Sequence, residues 1–273
     1  MPIDHVLKLY SKTIQSSFLH YGFWDDPEKV DLNSLSLQDI KNAQFRYIDH
    51  LASFIPEETN SILDVGCGIG GNTDFLLKKG YSLEALSPDS YQKSVINNKF
   101  GGKVIFHHCK FEDFQSEIFF DLILESESVC YIDIDKGFKK AREILKEGGY
   151  LLASDYFVYF RDQTKNLHLK SSHDINIYLK SADNHGFNLV EEYDQTNNTM
   201  LTLDYANYII GRFINPAIDY GVYSSNKNFP KLAKLIGLFI GKKWNEKQNQ
   251  LDLINSDLFR KYRKYMIYIF QKK

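Results

Sequence analysis

The 273-residue sequence contains only three cysteines, Cys67, Cys109 and Cys130, and no two of them stand at C-x-x-C spacing. It therefore offers neither a zinc-ligand framework nor an even set of thiols for a disulfide scaffold. Reduced thiols in a cytoplasmic protein are the expectation. Neither sign of charge is in excess: 33 Lys and Arg oppose 35 Asp and Glu, a formal net charge of −2. Neutralising nucleic-acid phosphates takes concentrated basic charge that this balance does not supply, so no nucleic-acid partner is expected. No apolar run approaches the roughly 20 residues that span a bilayer, and the N-terminal MPIDHVLKLYSK lacks the apolar core of a signal peptide. Internal repeats and low-complexity segments are also missing.

What is present is an ordinary globular composition, 43% hydrophobic, with 18 Tyr and 20 Phe. The length suits one large domain, or one domain with a cap. The most informative stretch is SILDVGCGIGGNTDF, residues 61–75. Gly66, Gly68 and Gly71 match the G-x-G-x-x-G dinucleotide pattern, while Asp64, Gly66, Gly68 and Gly70 match the alternating D-x-G-x-G-x-G pattern of S-adenosylmethionine sites. No Lys-Ser or Lys-Thr follows these glycines, which sets aside the phosphate-binding P-loop.

Hydrophobic periodicity places this turn in an alternating chain. The first 60 residues read as helices, one with Val6, Tyr10, Ile14 and Phe18 on a face and another with Ile40, Tyr47, Ile48, Leu51 and Ile55. SILDVG, YSLEALS, KVIFHHC, FFDLILES and YLLASDY then read as five strands. Asn72–Lys79 forms a helix after the first strand. A second helix starts after the second strand, with Ser87 as N-cap and Pro88 at its first position, and ends at Gly101-Gly102. A helix carrying Phe138, Ala141, Ile144 and Leu145 is stopped by Gly148-Gly149. Asp174 to His185 form one more helix, FNLVEEY a sixth strand and YMIYIFQKK a seventh. Strand–helix alternation of this kind requires crossovers and a parallel sheet covered on both faces. The expectation is an α/β, Rossmann-like doubly wound sheet in a single domain: a helical cap over 1–60, a core over 61–195 and 264–273, and a helical lid over 196–263 inserted between strands six and seven.

Asp64 separates the two glycine patterns. A pyrophosphate at the helix N-terminus would meet an unfavourable carboxylate there. S-adenosylmethionine carries an ammonium and a sulfonium, so an acid at the strand end can meet the ammonium directly or through water. A NAD(P)-dependent reductase and a cofactor-binding protein without catalysis are the competing readings.

With these residues in order, the chain resembles the class I S-adenosylmethionine-dependent methyltransferases, whose sheet has seven strands with the last antiparallel. LDVGCGIGG, LSPDS, FEDF, ESESVCYID and AREILKEGGYLLASDYF follow one another as that family's motifs do. LHYGFWDD, residues 19–26, is similar to the H-Y-G-x-W segment of cyclopropane and mycolic acid synthases, tocopherol and glycine-type methyltransferases and isoprenoid C-methyltransferases. The resemblance implies S-adenosyl-L-methionine as cofactor, held by Asp64, Gly66, Gly68 and Gly70, with Tyr21 and Trp24 folded over the methyl donor. Phe111 would stack on the adenine and Glu112 would take its amino edge. The acid that commonly holds the ribose at the end of strand two is replaced by Ala85, so Leu86 and Ser87 take over through backbone and hydroxyl, while strand alternation turns Glu84 to the other face.

Methyl transfer is a displacement that depends chiefly on alignment, and acid–base or cation-stabilising groups assist it. Glu127 and Tyr131 align with an acid and a His of the cyclopropane group, and Glu127 is the first candidate base or cation stabiliser, with a loop-fixing role as its alternative. Cys130 replaces an acid of that group, which argues against cyclopropane formation. Tyr21 beside the sulfonium and His20 as a base complete the candidate catalytic set, His20 serving equally well as a packed side chain. Asp155 and Tyr156 are placed on the acceptor side, His173 in a helix start, and His107-His108 in a structural strand. The lid aromatics Tyr205, Tyr208, Phe213, Tyr220 and Tyr223, with LAKLIGLFIG, suit a small hydrophobic acceptor, lipid- or isoprenoid-like, methylated at carbon or oxygen. A transient membrane contact through the lid and a homodimer are left open.

Overall fold

A computed structural model describes residues 15–159, 173–229 and 255–273. Its centre is a seven-stranded sheet in the order β3-β2-β1-β4-β5-β7-β6. The strands are β1 Ser61–Val65, β2 Ser82–Leu86, β3 Ile105–His107, β4 Phe120–Ser126, β5 Leu145–Val158, β6 Phe187–Asp194 and β7 Arg263–Lys272. Strands β1 to β5 pair in parallel, and β7 runs antiparallel between β5 and β6. The order reverses beside β1, so the crevice at its carboxyl end is where a doubly wound sheet takes its ligand.

Around the sheet lie α1 Leu37–Ala52, α2 Gly71–Lys78, α3 Ser90–Phe100, α4 Ile134–Ile144 and α5 Ile175–Asn184. Helix α1 starts with a capping box: Ser36 accepts from the Asp39 N–H, and the Asp39 carboxylate accepts from the Ser36 N–H. Its apolar residues Tyr47, Ile48 and Leu51 are buried on one face of the sheet with Leu124, Leu152, Tyr265 and Ile267. The opposite face packs Phe138 and Ala141 of α4 and Tyr178 of α5 against Phe157, Tyr268 and Phe270. Between β6 and β7 the described chain is helical, with α6 Leu201–Ile209, α7 Asn215–Asn228 and α8 Ser256–Tyr262.

The structure moves several sequence-based boundaries. Residues 15–26 form no helix, and Phe18 lies in an irregular segment; Val6, Tyr10 and Ile14 fall outside the described residues. Ser87 is not the cap of α3: Asp89 is, accepting from the Gln92 N–H at 2.8 Å. Gly148-Gly149 do not stop α4, which ends at Ile144; β5 already begins at Leu145 and carries both glycines within it. The register of β5 on β4 shifts just there, between Phe120 and Leu122, as a bulge containing glycine would shift it. The segment LAKLIGLFIG lies outside the described residues.

Candidate active site

The turn after β1 shows why glycines recur in it. Gly66 and Gly70 sit at φ of +73° and +75°, in the left-handed region open to glycine. A Cβ on Gly70 would meet Ile96 at 2.6 Å and Phe100 at 2.7 Å, and one on Gly66 would run into the Ser128 side chain. Much of what approaches this backbone is therefore the protein itself. Lys99 closes the turn by donating to the Gly70 carbonyl at 2.8 Å.

Above the turn lies a cavity of about 650 Å³. Its walls are residues 17–20 of the N-terminal strap, residues 66–69 with Gly71 and Asn72, residues 86–89 with Gln92, residues 110–112, and Ser126–Ser128 with Tyr131 and Ile132. Of the expected cofactor residues, Gly66, Gly68, Leu86, Ser87, Phe111 and Glu112 line it, whereas Asp64, Gly70, Tyr21 and Trp24 are not among its lining residues. Asp64 is 1% exposed, and its carboxylate accepts from the Thr73 hydroxyl at 2.6 Å; burial lifts its pKa to about 6. It anchors the start of α2 beneath the cavity floor. Trp24 lies in a satellite core with Ile40, Ala43, Leu201 and Tyr205. Ala85 faces Cys67, Ile96 and Phe100, and Glu84 pairs with His107 at 2.6 Å on another face.

Four candidate catalytic residues lie near one another in different roles. Glu127 follows β4 with φ of +51°, an unusual value for a side chain of its size. Its Oε1 accepts from the Tyr21 N–H at 2.8 Å and from the Tyr265 hydroxyl at 2.5 Å. Tyr265 in turn is 3.0 Å from the Tyr47 hydroxyl, which is 2.6 Å from Ser154 Oγ, and Ser154 accepts from Gln195 Nε2 at 2.9 Å. Each hydroxyl has one proton to give. The Tyr265 proton lies toward the carboxylate at 2.5 Å, with the Tyr47 oxygen as its more distant second acceptor, and Tyr47 and Ser154 share the 2.6 Å bond between them. Burial pushes the Glu127 carboxyl up to about 8, against the lowering effect of the bonds from Tyr265 and Tyr21. With both donors on Oε1, the titrating proton belongs on Oε2.

His20 is buried, stacked on Tyr47 with ring centroids 4.1 Å apart, and burial lowers its pKa to about 4. Its Nδ1 donates to the Tyr21 carbonyl at 2.8 Å, and Nε2 lies 3.1 Å from the Asn72 amide. The Asn72 atom facing Nε2 is Oδ1, and the single N–H of the neutral ring is committed to the shorter contact with Tyr21. Tyr131, 79% exposed, stands at the cavity mouth.

The loop between Glu127 and Ile132 is held from two sides. Asp155 accepts from the Cys130 N–H at 3.0 Å, and His173 Nε2 donates to the Val129 and Ile132 carbonyls at 2.9 and 2.8 Å. Asp174 caps α5 by accepting from the Asn176 and Ile177 N–H groups. Tyr47, Tyr265, Asn72 and Gln92 escape sequence reasoning, since each sits in a regular element with nothing local to mark it.

The lining tests which cofactor fits. Asp89 and Glu112 oppose the single lysine Lys110, while Glu127, pushed up to about 8, and His20, lowered to about 4, are both mostly neutral near pH 7. Such a wall suits a cation and repels a pyrophosphate. Phe111, 2% exposed, offers an aromatic wall, and Gln92 keeps a buried Oε1 with no hydrogen-bond partner, ready for an amino or hydroxyl hydrogen. These residues fit S-adenosylmethionine. Among the described residues, no group of three or more His, Cys, Asp or Glu could hold a metal ion, and no helix is long and apolar enough to cross a membrane.

Comparison with known proteins agrees with this geometry. Methyltransferase GfsG from Streptomyces halstedii is 24% identical over 148 residues, 51% of each chain. The chain spans about half, or less, of the length of the curated relatives it matches. Among solved structures, the cyclopropane synthase MmaA2 from Mycobacterium tuberculosis superposes with a TM-score of 0.69 at 15% identity, over 98% of this chain and 94% of that one. A geranyl diphosphate C-methyltransferase from Streptomyces coelicolor A3(2) gives a TM-score of 0.66 at 13% identity over 100% of both chains. At such identities the two likenesses establish the fold. A family model described as "Methyltransferase domain" matches residues 39–191, more than half the sequence and the whole of the glycine turn, and the chain belongs to that family.

Proposed function

We propose that the chain transfers the methyl group of S-adenosylmethionine to a small hydrophobic acceptor, lipid- or isoprenoid-like, at carbon or oxygen. The observation that carries this reading is the cavity that brings Glu127 into one lining with the glycine turn, Phe111 and Glu112. The names of two similar structures, a cyclopropane synthase and a geranyl diphosphate C-methyltransferase, support an apolar acceptor.

The cofactor would supply an activated methyl on a sulfonium. Backbone at Gly66 and Gly68, Leu86 and Ser87, the Phe111 ring, and the Glu112 and Gln92 oxygens would hold it. The chain's own contribution is positional: aligned reactants are worth roughly 7 to 11 kcal/mol of barrier. Residues 17–20 form one side of the cavity. Glu127 Oε2 is the atom that takes the acceptor's proton, or faces a developing cation where the acceptor is an alkene. Oε1 stays tied to Tyr21 and Tyr265, so the carboxylate keeps its aim while Oε2 gains or loses its proton.

Two measurements test the reading. Calorimetry should show saturable binding of S-adenosylhomocysteine and none of NADH; the reverse result would hand the site to a reductase. Incubation with methyl-labelled donor and fractionated cell lipids should then label a lipid fraction. Cofactor binding with no label transfer to any fraction would leave a binding protein instead.

A further inference from the structure

Arg263, the first residue of β7, is 6% exposed, and its Nε is buried without a hydrogen-bond partner. No carboxylate is paired with it among the described residues. Its guanidinium lies over the Tyr156 ring at 5.3 Å and the Phe259 ring at 5.6 Å. Asp155 acts on it electrostatically without forming an ion pair, and the nearby acids make their hydrogen bonds to other groups. Asp155 accepts from the Cys130 and Tyr156 N–H groups, Glu127 from Tyr21 and Tyr265, and Asp194 pairs with Lys264 at 2.9 Å.

Arginine does not escape such a position by losing its proton, and a buried charge without a partner is expensive. Two aromatic faces return only part of that cost. A guanidinium held this way is a binding element awaiting its anion.

Its place in the sheet says which ligand would bring one. Arg263 stands opposite Val158, at the carboxyl end of β5, and Tyr265 stands opposite Tyr156. Arg263 and Tyr265 are two residues apart and so share a face, about 7 Å apart along the strand. Tyr265 is the residue that holds Glu127. The guanidinium therefore sits one strand repeat beyond the proposed chemistry, on the ligand edge of the sheet and on the side of Tyr156 rather than the glycine turn.

Building on the methyl-transfer reading above, we propose that Arg263 binds an oxyanion carried by the acceptor, a carboxylate or a phosphate, so that the acceptor is an amphiphile whose charged head is fixed by β7 while its apolar body lies toward Tyr156. A guanidinium fork is suited to both anions and to neither a neutral alcohol nor a hydrocarbon.

The test is calorimetric titration of the full chain, saturated with S-adenosylhomocysteine, with octanoate, octyl phosphate and octanol. At least one anion should bind tenfold or more tightly than octanol. Arg263→Met should erase that preference while leaving S-adenosylhomocysteine affinity within about twofold of wild type, and Arg263→Lys should retain part of it. Whichever of octanoate and octyl phosphate binds more tightly identifies the head group. Octanol binding as well as both anions, or Arg263→Met binding the anions like the wild type, would overturn the proposal. Failure of the wild type to bind S-adenosylhomocysteine would sink the methyl-transfer reading instead, and the anion titrations, repeated without it, would still judge Arg263.

Discussion

The Tyr265 hydroxyl donates to Glu127 Oε1 across 2.5 Å, joining the last strand of the sheet to the loop after β4. These residues are 138 positions apart, and the bond exists because β7 turns back antiparallel beside β5. It makes Tyr265 a positioning residue for the carboxylate. Tyr265→Phe removes the donor to the carboxylate and leaves the Tyr47 hydroxyl its bonds to Ser154 and Ser126. Methyl transfer should fall about tenfold to a hundredfold, the worth of a charge-assisted bond of roughly 1.5 to 3 kcal/mol. With one donor lost, the Glu127 carboxyl rises further, and the rising limb of the rate profile should move to higher pH. An unchanged profile would reduce Tyr265 to packing.

Glu127 itself should govern the pH dependence. Burial raises its carboxyl from 4.5 to about 8, so the ionised base accumulates only as pH climbs through that value, and the rate should rise toward a plateau above it. Stability should run the other way. Between about pH 4.5 and 8 the folded state holds a proton that the unfolded chain has released, so this contribution is complete below 4.5 and fades as pH passes 8. Glu127→Gln should lower the rate by about a hundredfold to ten-thousandfold, flatten its pH profile, and reduce the loss of stability between pH 5 and 9. Urea unfolding at several pH values and initial rates with labelled donor check both halves. A mutant that kept the wild-type pH profile would dismiss Glu127 as the base.

The glycine turn gives a cleaner structural test. Gly66→Ala would place a methyl group against Ser128 at a positive φ. The left-handed conformation costs about 1 to 2 kcal/mol for a residue with a Cβ, and overpacking adds about 1 to 3 kcal/mol. At Gly101, φ is +55° and no atom lies within 4 Å of the added carbon, so alanine there incurs the first cost alone. Urea midpoints should therefore fall distinctly more for Gly66→Ala than for Gly101→Ala, with a weaker affinity for S-adenosylhomocysteine in the former only. Equal losses would show that crowding contributes nothing at Gly66.

These residues also mark where the sequence was readable. The succession of strands and helices could be anticipated because apolar runs such as LILES and YLLAS alternate with amphipathic helices, and that periodicity follows directly from burial on a sheet. The cavity floor was readable for a similar reason, since left-handed φ values leave a glycine signature. Asp64 was harder: a carboxylate at a strand end reads as a ligand contact, and only the fold shows Thr73 taking it up from the start of α2. Tyr47 and Tyr265 were invisible in another sense. Both sit at apolar positions of regular elements, and a tyrosine hydroxyl gains its role from a partner that topology brings to it. The two glycines of β5 misled because glycine after a helix commonly ends it, whereas here they accommodate a register shift in a long strand.

Trp24 illustrates how a residue away from the cavity can still control access to it. The strap is fastened to the insertion after β6 by three bonds and to α1 by a fourth: Gly22 N–H donates to Thr202 Oγ1 at 2.9 Å, Trp24 N–H to the Asn198 carbonyl at 2.9 Å, Asn198 Nδ2 to the Trp24 carbonyl at 2.9 Å, and Phe23 N–H to the Ala43 carbonyl of α1 at 2.9 Å. The indole fills the small core between them, against Ile40, Ala43, Leu201 and Tyr205. Trp24→Ala should cost about 3 to 5 kcal/mol if its cavity stays open. The neighbouring strap residues 17–20 form one wall of the cavity, so loosening Trp24 should speed release of S-adenosylhomocysteine more than it slows binding, and should expose the chain near residue 20 to limited proteolysis. Trp24→Phe, which keeps much of the apolar volume, should restore most of both properties. A dissociation rate unaltered in Trp24→Ala, with that variant still folded, would mean that the strap does not depend on this core to cover the site.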